Sequence, residues 1–468
     1  MRWSVWWLIS SAMALAAIAC SSGAGPLEGP PSTSPILSVD TPDGGSPDTG
    51  GNGGPGGPGG TPPHGPEAPI EFPGTSGWQF FGPQNGGPRQ VFGVTADGAG
   101  NIWVAGGEDG LFVLTPGATE FKRFTRADGL NGYADATGSH GYDVISVAGG
   151  PGSTVFVGYR GIGISDTDPM WELKSGDADK VVWNGATLSV RHFDISTPPG
   201  VDPHYPQGRE KIRTIYRIVY DARTGNVWFG GDHGVALYEA RGNRIWEHQH
   251  AAINGYKQTR AEDPEGKSYT LISGDWPGVA LDAAGDVWIG GGPRVALLKY
   301  GSEGGNFWAD MDCGPFSASP TCVHFQGMPP ALDVWPDAVA GDARPEERTD
   351  DVVSDLLVDG DGSLWVGSLN GLARLRPTGT QFYPPGLMVN PKVTALERDP
   401  KNGSIWIGHL WGGVTRIVNG STQWFSLNEF GRTLIDGIVS DIQSDVRNGQ
   451  RRILVAFSSG AIGVYTGP

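Results

Sequence analysis

The side chains best suited to acid–base chemistry in this 468-residue chain are nine histidines and 50 aspartates and glutamates. No histidine stands in a His-Glu-x-x-His or related zinc spacing. Neither a Gly-x-Ser-x-Gly nucleophile turn nor a complete Gly-x-x-x-x-Gly-Lys-Ser/Thr phosphate loop occurs. What remains for proton transfer is His233 or His409 beside a carboxylate such as Asp355 or Asp441. The spacing therefore assigns no catalytic residue, no metal ligand and no cofactor. Recognition is better supplied, because Tyr159, Arg160, Arg217, His233, Asp275, Trp276, Arg294, Asp355, Trp411 and Asp441 combine aromatic rings, guanidinium groups and carboxylates. Such a mixture suits a protein, a peptide or a glycan partner.

All of these residues stand beside short strands that recur. The repeat is a strand, a polar turn and a second strand ending near Trp-hydrophobic-Gly. Its copies are Gly100-Asn101-Ile102-Trp103-Val104, Ser153-Thr154-Val155-Phe156-Val157-Gly158, Gly225-Asn226-Val227-Trp228-Phe229-Gly230, Gly285-Asp286-Val287-Trp288-Ile289-Gly290, Gly362-Ser363-Leu364-Trp365-Val366-Gly367, Gly403-Ser404-Ile405-Trp406-Ile407-Gly408 and the worn Arg451-Arg452-Ile453-Leu454-Val455. Units of ~40 to 80 residues, each holding several short strands, are the signature of a β-propeller. The expected fold is all-β, a seven-bladed propeller over residues 76–468. The last copy ends too close to the C-terminus to hold a fourth strand, and Gly77-Trp78-Gln79-Phe80-Phe81 is predicted to supply it, closing the ring and covering an exposed edge.

The repeated Trp is expected to wedge between neighbouring sheets, and Asp97, Asp221, Asp282, Asp359 and Asp399 to shape their turns. The ten recognition residues fall in the loops before the first strand and between the second and third strands, or near the entrance to the innermost strands. They are therefore expected on one concave face. Three long insertions, at about residues 168–211, 251–274 and 301–350, leave the repeat and are read as a crown over one side of that face.

With 76 Gly, 37 Pro and 18% charged residues, the composition favours turn-rich β structure. A formal net charge of -17 argues against a nucleic-acid surface, which needs clustered Lys and Arg. The first 19 residues read as an export signal: Arg2, an apolar run of about 15 residues that is short for a membrane span, then small residues leading into Cys20. Residues 20–75 are rich in Gly, Pro, Ser and Thr and are expected to form a disordered tether. In an exported chain Cys313 and Cys322, bracketing eight residues, are read as a loop-closing disulfide.

Ala17-Ile18-Ala19-Cys20 resembles the lipobox of bacterial lipoproteins, which implies lipid on Cys20 and membrane attachment through it. Ser21 after it resembles lipoproteins sent to the outer membrane, facing the periplasm or the surface. The repeats, best in Val353 to Arg376 and Val393 to Arg416, resemble those of the two-component regulator propeller family, whose members join such propellers to a transmembrane helix and a histidine kinase. The chain has neither segment in its sequence, so the resemblance implies a freestanding form. The function expected is that of a monomeric, lipid-anchored extracytoplasmic binding or scaffolding module for an envelope protein, peptide or glycan. The alternative is a propeller lyase or hydrolase acting on a small molecule or glycan at the central mouth.

Overall fold

The computed structural model describes residues 77–130, 133–134, 140–141, 143–161, 177–193, 195, 212, 214–231, 234–249, 251–252, 271–272, 277–291, 294–298, 300–301, 332–333, 353–369, 371–426 and 437–468. Its regular structure is nearly all β. Each blade is an antiparallel meander, and the innermost strands are Gly93–Ala96, Asp143–Gly149, Ile215–Tyr220, Gly278–Leu281, Val353–Val358, Val393–Arg398 and Val439–Arg447. Each innermost strand lies against the next in chain order, and Val439–Arg447 lies against Gly93–Ala96, so the ring closes.

Six of these sheets are complete blades. The sheet begun by Gly278–Leu281 continues through Val287–Gly291 and Arg294–Leu298, but its outer strand is only Leu332–Asp333. The expectation of a seven-bladed propeller is thus corrected to six complete blades and one abbreviated sheet among the described residues. A second correction concerns residues 168–211, which were read as an insertion. They contain Ala178–Trp183 and Leu188–Phe193, the two outer strands of the second blade. They begin at Ala178, far beyond the end of the second strand at Arg160, whereas the third strand follows after a short Gly-containing turn in blades such as the one with Leu364–Ser368 and Gly371–Arg376, so the repeat spacing could not find them.

The closing strand forms as expected. Trp78–Phe81 pairs antiparallel with Ile462–Tyr465, in the register Trp78 to Tyr465 and Phe81 to Ile462. Period-two alternation sends Trp78 and Phe80 into the core with Trp406, Val439 and Phe457, while Phe81 joins the opposite core with Val94 and Ile462.

The physical origin of the repeat lies between blades. Trp103 packs among Val144, Val147 and Val155 of the following blade, Trp365 among Val393 and Leu396, and Trp406 among Val439 and Ile442. Truncating a buried Trp of this kind to Ala costs about 3–5 kcal/mol. The Gly two residues later is required by the same contact. A Cβ at Gly290, Gly367 or Gly408 would stand 2.6, 2.5 and 2.5 Å from a Cγ1 of Val353, Val393 and Val439 respectively. Trp-x-Gly and the first-strand Val are therefore two halves of one interface.

The turn acids behave as expected. Asp97 Oδ1 accepts from the backbone N–H groups of Ala99 and Asn101, both at 2.9 Å, and Oδ2 accepts from the Trp103 indole at 2.7 Å. Asp359 Oδ2 likewise accepts from the Trp365 indole at 3.0 Å. The turn thus fixes the rotamer of the wedge.

Candidate functional site

The channel face is built by a recurrent bulge. The register shifts near the start of five innermost strands, at Val144/Ser146, Ile215/Arg217, Val353/Asp355, Val393/Ala395 and Val439/Asp441. In three of them the residue after the shift is charged and reaches across the channel. Arg217 Nη1 donates to Asp441 Oδ1 at 2.9 Å, and its Nη2 donates to Asp355 Oδ2 at 3.2 Å. One guanidinium therefore joins the third, fifth and seventh sheets across the channel.

Both carboxylates also bind backbone. Asp355 Oδ2 accepts from Leu396 N at 2.8 Å, and Asp441 Oδ2 accepts from Val94 N at 3.0 Å. Each aspartate thus holds the inner strand of the following sheet. A second set of bonds runs beside them: Ser354 Oγ donates to the Val393 carbonyl, Thr394 Oγ1 to that of Val439 and Ser146 Oγ to that of Ile215. The channel wall is therefore a belt of contacts between neighbours, with Arg217 spanning it.

Burial dominates the electrostatics. It pushes Asp355 up to about 6 against the opposing pull of Arg217 and the Leu396 N–H. Asp441 is raised for the same reason. Burial opposes the charge on Arg217, but Asp355 and Asp441 outweigh it and hold the guanidinium more firmly protonated than usual. Glu397, two residues beyond the bulge on the sixth sheet, is pushed by burial up to about 8, although Ser444 Oγ donates to its Oε1. Sequence reasoning missed Glu397. The strand period would have found it, because residues 395 and 397 share the channel face.

The ten recognition residues divide. Arg217, Asp355 and Asp441 come together in the channel, where they bind one another rather than standing free at its entrance. Tyr159 is fully buried, and its hydroxyl donates to Asp179 at 2.5 Å, so it belongs to the core of the second blade instead of a loop. Arg160 lies on the loop face, paired with Asp143 at 3.2 Å and stacked 5.3 Å over Phe92. Trp411 is exposed in the loop after Ile405–His409. The Arg294 backbone pairs with Gly291 and Asp333. His233, Asp275 and Trp276 lie outside the described residues, as do Cys20, Cys313 and Cys322.

The acid–base pairing that the sequence left open to His409 does not form. Its ring is buried, with Nε2 2.8 Å from Thr415 Oγ1, and burial lowers its pKa to about 3. The imidazole is neutral and core-bound. A different histidine meets carboxylates: His192, directly opposite Asp179 in the ladder, places Nδ1 2.9 Å from Asp179 and Nε2 3.7 Å from Asp177. Against burial, those two acids raise it to about 9. This cation sits on an outer strand of the second blade and ties it to the buried Tyr159.

Loops from neighbouring elements meet on the face that carries Trp411. Leu410 N donates to the Lys392 carbonyl, and Gly107 bridges to Val144 of the next blade.

No family model matches the chain, and no curated protein matches it. Among solved structures it is similar to the extracellular domain named for a hybrid two component system of B. thetaiotaomicron, at 13% identity and a TM-score of 0.49, covering 81% of this chain and 40% of that one. It is similar to PorZ, a surface component of the type-IX secretion system of Porphyromonas gingivalis, at 12% identity and a TM-score of 0.48, covering 81% and 46%. A third is YCF48 bound to D1 peptide, at 10% identity and a TM-score of 0.47, covering 86% and 99%. The chain spans less than half the length of the first two. At these identities the likeness concerns the β-propeller fold.

Proposed function

We propose that this protein is a binding or scaffolding propeller, monomeric and held to the bacterial outer membrane by lipid on Cys20, facing the periplasm or the surface. Its partner is a protein, peptide or glycan of the cell envelope. The observation that carries the reading is the state of the channel: Arg217, Asp355 and Asp441 are consumed in holding the ring together. Groups so engaged are poor acids and bases for turnover, and His409, the described histidine that the sequence offered for proton transfer, is buried and neutral. The surrounding loop face, with Arg160 over Phe92 and the exposed Trp411, keeps the chemistry of recognition.

The lipid anchor, the disulfide between Cys313 and Cys322 and the freestanding two-component-propeller form all rest on sequence motifs. Crosslinking in intact cells with full-length protein, using Cys20→Ala as the unanchored control, tests the whole reading. One envelope component recovered repeatedly and lost in the control is the expected result. Recovery of nothing specific, together with turnover of a small molecule, overturns it in favour of a propeller lyase or hydrolase.

A further inference from the structure

Large apolar side chains that remain exposed are concentrated in one stretch of this molecule. Among the described residues they are Val182, Phe382, Leu387, Trp411, Trp424 and Val446, and four of the six fall between 382 and 424. Phe382 is 49% exposed, Trp424 46%, Trp411 42% and Leu387 41%. Single exposed apolar residues need no explanation, but a cluster rich in aromatic rings marks an interaction surface.

Its geometry is repetitive. The outermost strands of the fifth and sixth sheets are Gly379–Tyr383 and Ser421–Ser426, and both contain Thr-Gln followed by two aromatics. Phe382 lies opposite Ala373 in its ladder, and Trp424 lies opposite Thr415 at the matching position. The second aromatic of each pair turns inward: Tyr383 packs 5.0 Å from Trp365, and Phe425 stacks 5.4 Å from Trp406. The first aromatic of each pair is left facing solvent. The connector through Pro385–Leu387 fixes the second site, because Trp424 Nε1 donates to the Leu387 carbonyl at 3.1 Å and Val389 N donates to Thr415 Oγ1 at 3.0 Å. A Cβ at Gly412, next to Trp411, would be in contact with Val389 at 3.4 Å, so the same connector touches the Trp411 loop.

We infer that this rim of the fifth and sixth sheets, centred on Trp424 and Trp411 with Phe382 as the equivalent position one sheet away, binds an uncharged polysaccharide. The inference rests on the binding-module reading and names its partner class. A pyranose ring offers an apolar C–H face to stack on an indole and hydroxyls around its edge. The rim offers flat aromatic faces beside Thr380 and Thr422, which share the outward side of each strand and supply hydroxyl groups, while Gln381 and Gln423 share the side of Tyr383 and Phe425, where Gln381 Oε1 accepts from Arg376 at 2.7 Å. Neither strand carries a charged residue, in a chain whose net charge is -17. An anionic polymer or lipid surface would call for Lys and Arg at the contact. A polymer of identical units also suits a surface that repeats its own aromatic position from one sheet to the next.

Native gel electrophoresis of the full-length protein in detergent, with dextran, mixed-linkage β-glucan, xyloglucan or galactomannan cast into the gel, tests the inference. Polygalacturonate and dextran sulfate serve as charged controls. The expected result is retardation by at least one neutral polymer, weakened about tenfold by Trp424→Ala or Trp411→Ala and less by Phe382→Ala. Trp424→Tyr should keep most of the retardation, and equal denaturation midpoints would establish that the variants are folded. Unchanged mobility in every neutral polymer overturns the inference, as does retardation that survives both Trp substitutions or that charged polymers match. If the gels fail while crosslinking still recovers an envelope protein, only the glycan assignment falls. If both fail, the binding-module reading falls with it.

Discussion

Asp97 and Asp441 are both buried aspartates on a first-strand hairpin, yet one is held by its own turn and the other by strands far away in the chain. The Asp97 carboxylate binds residues 99, 101 and 103, all within six positions of itself. Asp441 binds Val94 and Arg217, separated from it by 347 and 224 positions. A local acid shapes one hairpin, whereas a channel acid decides how blades sit against one another. The same residue type therefore serves secondary structure at one end of the blade and ring closure at the other.

Removing the shared cation should separate these roles most sharply. Arg217→Met leaves Asp355 and Asp441 buried without their partner, and a loss of about 3–5 kcal/mol in urea unfolding is expected. Adding Asp355→Asn and Asp441→Asn to that variant should recover most of the loss, because no buried charge then remains. If Arg217→Met costs less than an Asp97 substitution, the channel network is not what joins the blades.

Asp97→Ala should cost less, about 1–3 kcal/mol, by leaving the Trp103 indole and the Asn101 amide without their acceptor. In a double-mutant cycle with Arg217→Met its effect should be additive, since the two sites share no partner. Coupling between them would break the division into local and ring-closing acids.

The last test is the pH dependence. Glu397 is held at about 8 and Asp355 at about 6 in the fold, above ordinary carboxylates, so the native state keeps protons that the unfolded chain releases. Stability should consequently fall as pH rises from about 4 through 8. His192, raised to about 9, acts in the same direction, because its contribution is complete below about pH 6.5 and is lost as pH passes 9. The melting temperature should be higher at pH 6 than at pH 9. Glu397→Gln should flatten the curve between 4 and 8, and His192→Gln only its alkaline limb. A curve that rises toward pH 9 would contradict the burial of these groups.

What could be read in advance follows the same division. The Trp wedges, the turn acids and the closing strand Trp78–Phe81 were legible because each depends on a pattern a few residues long. The outer strands of the second blade were missed because Ala178–Trp183 follows the second strand, which ends at Arg160, only after a long connection in place of the short Gly turn of other blades. Tyr159 was placed in a loop because the second strand was expected to end at Gly158, whereas the strand runs to Arg160 and turns the ring inward. Arg217, Asp355 and Asp441 were read as part of one recognition face, whereas in the channel they neutralise one another.

The sequence by itself determined an all-β propeller, since Val, Trp and Gly at fixed spacing can bury their faces only against a neighbouring copy of the same unit. Only the tertiary structure decided that one outer strand is abbreviated and that Arg217 spans three sheets. It alone left Trp424 and Phe382 bare while Phe425 and Tyr383 are buried. The reason is physical: repeat spacing fixes contacts between adjacent strands, whereas charge pairing across the channel and exposure at the rim depend on where the closed ring brings distant strands.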